Sequence, residues 1–489
     1  MSANAGPTNV GRMSSVLLRE VRVGLQGPVR NVLIADGRVA EIGTATPPAD
    51  ETVNLGGATL LPGLWDCHVH AAQWAQTRRR IDVSGARSAK EAAELVRDGT
   101  GFTVGFGFRD ALWPDEPHKS LLEAVAPGRP TVLVSNDLHT AWFSPAALAA
   151  IGRGDHPTGV LREHECYTAM AALPPPAEGE LDRWVAEAMT AAAARGVVGV
   201  LDFEYADNLA DWRRRVAGHR LDVRVICSIP RDRLDEAIAA GVRTGEAVPG
   251  GDGLLTVGPV KMFVDGSLNT RTAYCADPYP SGGGHGSLET PPEELEATMR
   301  RAAEHGLHPA VHAIGDLAVD IALSAYERIG CPGRIEHAQL LRPGDAARFA
   351  RPGLITSVQP AHAPDDRDVA ERQWPGRTGR AYAYADLLRA GATLELGSDA
   401  PVAPLDPWDG IQAATARTDD DREPWHPEQA ISLRDALRAS ARGRDGVHVG
   451  DVADLMIVAD DPAAVDPARL RHIEVVGTLL GGRWTHRAF

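Results

Sequence analysis

The sequence predicts an α/β chain in which a (β/α)8 TIM barrel carries a small β-domain assembled from both termini. Three observations predict it. Between residues 63 and 440, apolar strand-like runs alternate with alanine-rich helical stretches, the pattern of parallel strands joined by helical crossovers. Both ends of the chain carry a different texture, short runs in which apolar and polar residues alternate. Finally, residues able to bind a metal stand at the ends of several runs; a barrel gathers strand ends on one face, whereas an open doubly wound sheet would spread them along an edge.

Taken in order, residues 1–14 are small and polar and read as a disordered tail. Residues 15–62 form the first part of the β-domain: SVLLREVRVG and RNVLIADGRVAEIG alternate, Asp36-Gly37 supplies a hairpin turn, and TVNLGGATLLPG follows. Pro62-Gly63 ends this part and Leu64-Trp65 opens the first barrel strand, which closes on His68 and His70. Residues i and i+2 of a strand share a face, so the two imidazoles converge. By the same spacing Asp66 shares that face and is expected to orient His68, while Cys67 and Val69 are expected to face the helices.

The runs PTVLVSN, GVVGVLDFE, LDVRVICSI, LLTVGPVKMFVDG, GLHPAVHAIG, GRIEHAQ, GLITSVQP and ATLELGSDA continue the strand pattern. ELDRWVAEAMTAAAARG, PEELEATMRRAAEHG and DAARFARP are the helical intervals, and Pro174-Pro175-Pro176 and Ser281-Gly282-Gly283-Gly284 mark loops. DVADLMIVADD and IEVVGTLLGGRWTH return to the β-domain over residues 441–489.

Composition narrows the function. With 489 residues, 44% apolar and 24% charged, the chain has ordinary globular composition and room for more than one domain. A net charge of −16 argues against nucleic acid or an anionic membrane as partner. No apolar run approaches eighteen residues and the start lacks a signal-peptide core. Five cysteines without a C-x-x-C pair indicate reduced thiols and a cytoplasmic location, not a disulfide framework.

Lys261, His312, His337 and Asp399 join His68 and His70 as polar residues at strand ends. Singly, each has a plainer reading. A lone His312 or His337 is more often a hydrogen-bonding structural histidine, Asp399 suits a helix cap, and Lys261 suits an ion pair with Asp265 or another acid. Jointly, all at strand ends, they point to a metal site.

PGLWDCHVH, VKMFVDGSLNTRTA, HAIGD, RIEHAQ, VQPAH and GSDAPV together resemble the amidohydrolase superfamily, and more narrowly its amidohydrolase family 3 branch, which includes N-substituted formamide deformylase. GFTVGFGFRDALWP and SNDLHTAWFSPAALAAIG resemble that branch's region between the first two barrel strands, and GVHVGDVADLMIVADDP its closing β segment. The resemblance implies a β-sandwich built from both termini beside the barrel. It implies that His68 and His70 hold the more buried of two metal positions and that His312 and His337 hold the other. Lys261, carboxylated by carbon dioxide, would bridge them, and Asp399 would ligate metal and handle protons. LRASARGRDGVHVG is shorter than the branch's stretch, which bears on the last helix and not on the metal site.

These donors suit Zn2+, with Mn2+ as the other candidate. The expected reaction is hydrolysis of a small-molecule, non-peptide carbon–nitrogen bond, an N-substituted amide or formamide, by metal-activated water with Asp399 as proton carrier. The same site would serve a lactone, ester or phosphotriester; a non-catalytic assembly role is a remote third reading, since such relatives usually lose ligands. His139, Arg271, Gln359, His362 and Asp365 are candidate substrate contacts, and Leu138 replaces a glycine of the branch, an exchange expected to narrow the pocket. Trp74, Trp113 and Trp142 are pocket-lining candidates whose plainer reading is packing. Cys275 to Ser287 has the composition of a mobile lid. The resemblance also implies a homodimer.

Overall fold

A computed structural model describes residues 15–489 apart from 174, 175 and 283. The expected tail and part of both loop signals lie outside the described residues. Eight parallel strands form the central sheet: β1 (Leu64–Val69), β2 (Val197–Asp202), β3 (Arg224–Pro230), β4 (Leu255–Phe263), β5 (Pro309–Ala313), β6 (Gly333–His337), β7 (Leu354–Val358) and β8 (Thr393–Leu396). Each pairs with the next, and the chain leaving β8 returns to β1. The Asp399 amide donates to the His68 carbonyl at 2.7 Å and the His70 amide to the Ala400 carbonyl at 2.8 Å, which closes the barrel. Such strands are buried on both faces and so read as nearly continuous apolar runs.

The interior of the barrel is not an oil drop. Trp65, Leu201, Phe203, Ile226 and Ala310 form a small apolar layer. Alongside runs a chain of charges, buried at Glu336, Arg334 and Glu395 and ending at the exposed Arg442. Glu336 accepts from Arg334 Nε, Arg334 Nη1 donates to Glu395 at 2.8 Å, and Arg442 Nε donates to Glu395 at 3.2 Å. Arg442 also lies over the Trp65 ring at 4.8 Å. The larger apolar core lies outside the barrel, where Val200, Val260, Met262, Val311 and Ile335 meet helices such as Glu178–Ala193, Pro292–Glu304 and Asp316–Ile329.

β1 departs from the simple alternation. Asp66 pairs with Val200, and Val69 with Asp202, so β1 spends one residue more than its partner. This bulge shifts the phase of the strand. Leu64 and Val69 therefore both join the helix-facing core, as expected for Val69. Asp66, beside Val200, stands on that side too, and not on the face of His68. Cys67 is buried beside the charged groups Glu395, Arg442 and Arg334 rather than among the helices.

Residues between β1 and β2 build a separate layer. Ile81–Asp82, Thr103–Phe108, Thr131–Ser135, Thr140–Phe143 and Val160–Arg162 form a five-stranded sheet with its own apolar clusters. PTVLVSN, read from sequence as one of the repeating strands, belongs to this layer and not to the barrel. The terminal strands make a third, connected sheet of eight strands, in which Leu455–Val458 pairs with Thr59–Pro62. A bulge in Val16–Val23 lets its first half pair with Glu51–Asn54 and its second with Thr59–Leu60, around a core including Leu18, Val32, Leu60 and Ile457. The last helix does form, over Leu433–Ser440, with Ser432 Oγ capping the Asp435 amide. Among the described residues no helix is long and apolar enough to cross a membrane.

Candidate active site

The strand ends bring the expected residues together at one mouth of the barrel. His68 Nε2 and His70 Nε2 lie 3.4 and 3.3 Å from Asp399 Oδ1, and Lys261 Nζ lies 3.3 Å from His68 Nε2. The His337 ring stands 5.0 Å from that of His68 and 4.5 Å from that of His312, centroid to centroid. Two backbone deviations make this possible. Arg334 and Glu336 occupy the inward positions of β6, so a regular strand would turn His337 outward. A φ of 75° at His337 turns it back, and Asp399 is likewise left-handed at 59°. Non-glycine residues there cost about 1–2 kcal/mol each, strain of the kind stored at functional sites.

Two sets of donor atoms lie within 4.8 Å of one another: His68, His70 and Asp399, and His337, His362 and Asp399. His362 opens the helix His362–Gln373 beyond β7, a position read from sequence only as a substrate contact. His312 stands beside His337, but its Nε2 donates to the Gly266 carbonyl at 3.1 Å. Several buried ring nitrogens have no partner: Nδ1 of His70, Nδ1 of His337 and Nε2 of His362. His70 turns Nε2 to Asp399, so its Nδ1 faces away from the cluster; an unpartnered buried lone pair on His337 or His362, which share a donor set with Asp399, is what a cation there would take up. The donor set fits a divalent metal.

The orienting partner of His68 is Glu336, not Asp66. Glu336 Oε2 lies 2.7 Å from His68 Nδ1; a carboxylate only accepts, so Nδ1 carries the proton and Nε2 offers its lone pair to the site. Asp66 Oδ1 is instead taken by the amides of Ser398, at 2.8 Å, and His68, at 3.3 Å. Sequence reading passed over Glu336, although it directly precedes His337.

The electrostatics follow from burial. Desolvation lowers His68 to about 4 and His312 to about 3, with the Lys261 charge adding to both. His337 is held well below its ordinary range by burial and by His312. At neutral pH these are uncharged imidazoles, the form that binds metal. Burial would raise Asp399, but His68, His70 and His337 overcome it and hold the carboxylate ionised. Burial lowers Lys261 to about 8, against the pull of Glu336 and Asp399. Its ammonium lies over the Phe203 and Phe263 rings at 4.5 and 5.0 Å. Asp265 is no ion-pair partner for it: that carboxylate accepts the amides of Tyr274, Ile314 and Gly315.

A cavity of about 120 Å³ opens above this cluster. Its lining includes His312, His337, His362 and Asp399 from the barrel, and Phe108, Asn136 and His139 from the inserted layer. Of the expected substrate contacts, His139, His362 and Asp365 line it. Asp365 is paired with Arg109 at 2.7 Å. Gln359 is buried with Nε2 toward Ser357 Oγ at 3.5 Å, and Arg271 donates to the Ser281 carbonyl at 3.2 Å; neither lines the cavity. Leu138 is not part of the lining; its side chain packs against the apolar cluster of the insert that includes Val134, Phe143 and Leu161. The three tryptophans are packing residues: Trp142 is fully buried with Leu122 and Leu133, Trp113 packs on the same cluster, and Trp74 packs on the main core. The segment after Ala273 carries hydrogen bonds of its own. The Cys275 amide donates to the His285 carbonyl at 2.8 Å, and Tyr279 Oη to the Ala273 carbonyl at 2.9 Å.

Known proteins share this architecture. The chain is 26% identical over 485 residues to the putative amidohydrolase YtcJ of Bacillus subtilis (strain 168), covering 89% of this chain and 90% of that protein. It is 25% identical over 519 residues to N-substituted formamide deformylase of Arthrobacter pascens, covering 92% and 94%. A crystal structure of an uncharacterized metal-dependent hydrolase from Pyrococcus horikoshii OT3 superposes with a TM-score of 0.77 at 25% identity, covering 93% of this chain and 99% of that one. The model of the amidohydrolase family matches residues 51–486, and the chain belongs to that family of metal-dependent hydrolases of carbon–nitrogen bonds.

Proposed function

We propose that this enzyme hydrolyses the carbon–nitrogen bond of a small N-substituted amide or formamide. The observation that carries the reading is the convergence of several imidazoles, one ionised carboxylate and a desolvated lysine at the barrel mouth. His68 and His70 would hold one metal position; His337 and His362, with His312 beside them, would hold the other. Asp399 faces both. Zinc or manganese bound there supplies Lewis-acid polarisation of the carbonyl and acidifies water.

The protein's own groups do the rest. Asp399 Oδ1, kept unprotonated by the surrounding imidazoles, takes a proton from the attacking water and delivers it to the leaving nitrogen. Glu336 fixes the His68 tautomer. Lys261, lowered to about 8, gives up its proton far more readily than an exposed lysine. That amine adds carbon dioxide through a new N–C bond and releases one proton. The resulting carbamate anion balances the metal charge and relieves the burial of an ammonium. The similarity to a formamide-cleaving relative supports an acyl group small enough for the cavity.

Asp399→Asn tests the reading. We expect the variant to retain zinc by elemental analysis and to lose about 10²–10⁴ in turnover on a panel of N-substituted formamides. A fully active variant refutes the proton role. A wild-type protein that takes up no metal refutes the site. Turnover confined to esters or lactones would move the substrate class.

A further inference from the structure

The inserted layer between β1 and β2 delivers a charged pair to the cavity that the metal cluster does not use. His139 Nδ1 lies 2.8 Å from Glu163 Oε2 and 2.7 Å from the Tyr167 hydroxyl. The carboxylate can only accept, so Nδ1 carries a proton. The ring's other nitrogen, Nε2, has no hydrogen-bond partner among the described residues, and His139 lines the same cavity as His312, His337 and Asp399.

The pair is built with some strain and held from several sides. Leu138, just before the histidine, has φ 65°, and Glu163 has φ 49°. The Glu163 amide donates to the His139 carbonyl at 2.8 Å. Thr272 Oγ1, from the loop after β4, donates to Glu163 Oε1 at 3.3 Å. Asn269, on the same loop, donates to Asp137 at 2.8 Å, and Asp137 in turn accepts the His139 amide at 3.1 Å. Asn136 Nδ2 donates to the Val402 carbonyl beyond β8 at 3.1 Å, fastening the insert to the barrel. Burial would lower His139, but the Glu163 hydrogen bond and the charges of Asp137, Glu163 and Asp399 outweigh it, favouring the imidazolium. Arg109, the other cationic residue of the lining, is already paired with Asp365.

We propose that His139, positioned by Glu163, is the hydrogen-bond donor to the substrate carbonyl oxygen as that oxygen becomes an anion. As water oxygen bonds to the carbonyl carbon, the C=O electron pair moves onto oxygen, and Nε2–H of His139 stabilises it from the side of the inserted layer. The donor is preorganised, since Nδ1 is held before substrate arrives. This role rests on the amide-hydrolysis reading and adds a catalytic residue from outside the barrel.

The test uses the zinc-loaded enzyme with a series of N-substituted formamides whose leaving amines differ in basicity. It is paired with calorimetric binding of a phosphonamidate that presents P=O in place of the carbonyl. His139→Gln should lower kcat by about 10²–10³ with KM little changed, nearly equally for every leaving amine, as loss of an oxyanion donor does. It should weaken phosphonamidate binding in parallel while zinc content and the urea midpoint stay at wild-type values. Glu163→Gln should give a smaller loss in kcat with KM preserved, and Tyr167→Phe, at an exposed position, a smaller one still. A His139→Gln enzyme with wild-type kcat and raised KM would overturn the donor role. So would a loss that grows steeply with leaving-amine basicity, which would mark a leaving-group acid. If wild-type enzyme cleaves no formamide yet binds the phosphonamidate in a His139-dependent way, the substrate reading fails and the donor stands.

Discussion

Removing Glu336 should damage both stability and metal binding, because one buried carboxylate serves both. Glu336 is fully buried, and burial alone would raise its pKa. Arg334 and then His68 reverse this and hold it ionised. Glu336→Ala leaves Arg334, itself 4% exposed, with one of its two carboxylates, and leaves the His68 Nδ1–H without an acceptor. Breaking a buried ion pair costs about 3–5 kcal/mol and orphaning a buried N–H about 1–3. Arg334 keeps Glu395 at 2.8 Å and the Cys67 carbonyl at 3.0 Å, so the expected loss is about 4–6 kcal/mol. Glu336→Gln keeps an acceptor for His68 and loses only the charge, for which about 2 kcal/mol is expected. Urea unfolding of the metal-free proteins at pH 7 measures both. Zinc affinity, by competition with a chromophoric chelator, should fall about 10–100-fold once the His68 ring is no longer oriented. If Glu336→Ala unfolds within about 1 kcal/mol of wild type and binds zinc equally well, the buried charge chain does not hold the site.

Two further tests probe the packing and charge of the same region. In Gly397→Ala the added Cβ would lie 2.6 Å from the His68 backbone nitrogen and 2.7 Å from its Cβ, where β8 closes on β1; a loss of about 1–3 kcal/mol together with reduced zinc content is expected, and an unaffected variant would mean that this approach is slack. Lys261 has its folded pKa lowered from 10.5 to about 8, so the unfolded chain binds more protons between these values and stability should rise with pH across that window. At 1.36 kcal/mol per pH unit the full shift amounts to about 3 kcal/mol, of which about 2 kcal/mol falls between pH 8 and pH 10; this gain should be missing from Lys261→Met when metal-free urea unfolding at those two pH values is compared, and equal slopes for both proteins would show that the ammonium is not desolvated.

The barrel, the terminal β-domain and most of the candidate metal-ligand cluster were legible from the residues alone. The reason is topological. Parallel strands joined by crossovers must put their C-terminal ends on one side, so His68, His70, Lys261, His312, His337 and Asp399 could be gathered from their positions alone. The features that emerge in the folded chain depend on phase and on distant partners. A single extra residue in β1 moves Asp66 off the face of His68, and no local pattern announces a bulge. Positive φ at His337 turns an outward position inward. Glu336 becomes the partner of His68 across 268 residues, and Glu163 that of His139 beside the antiparallel pair Thr140–Phe143 and Val160–Arg162. His362 joins the second donor set because a helix begins where β7 ends, a spacing set by packing and not by strand periodicity.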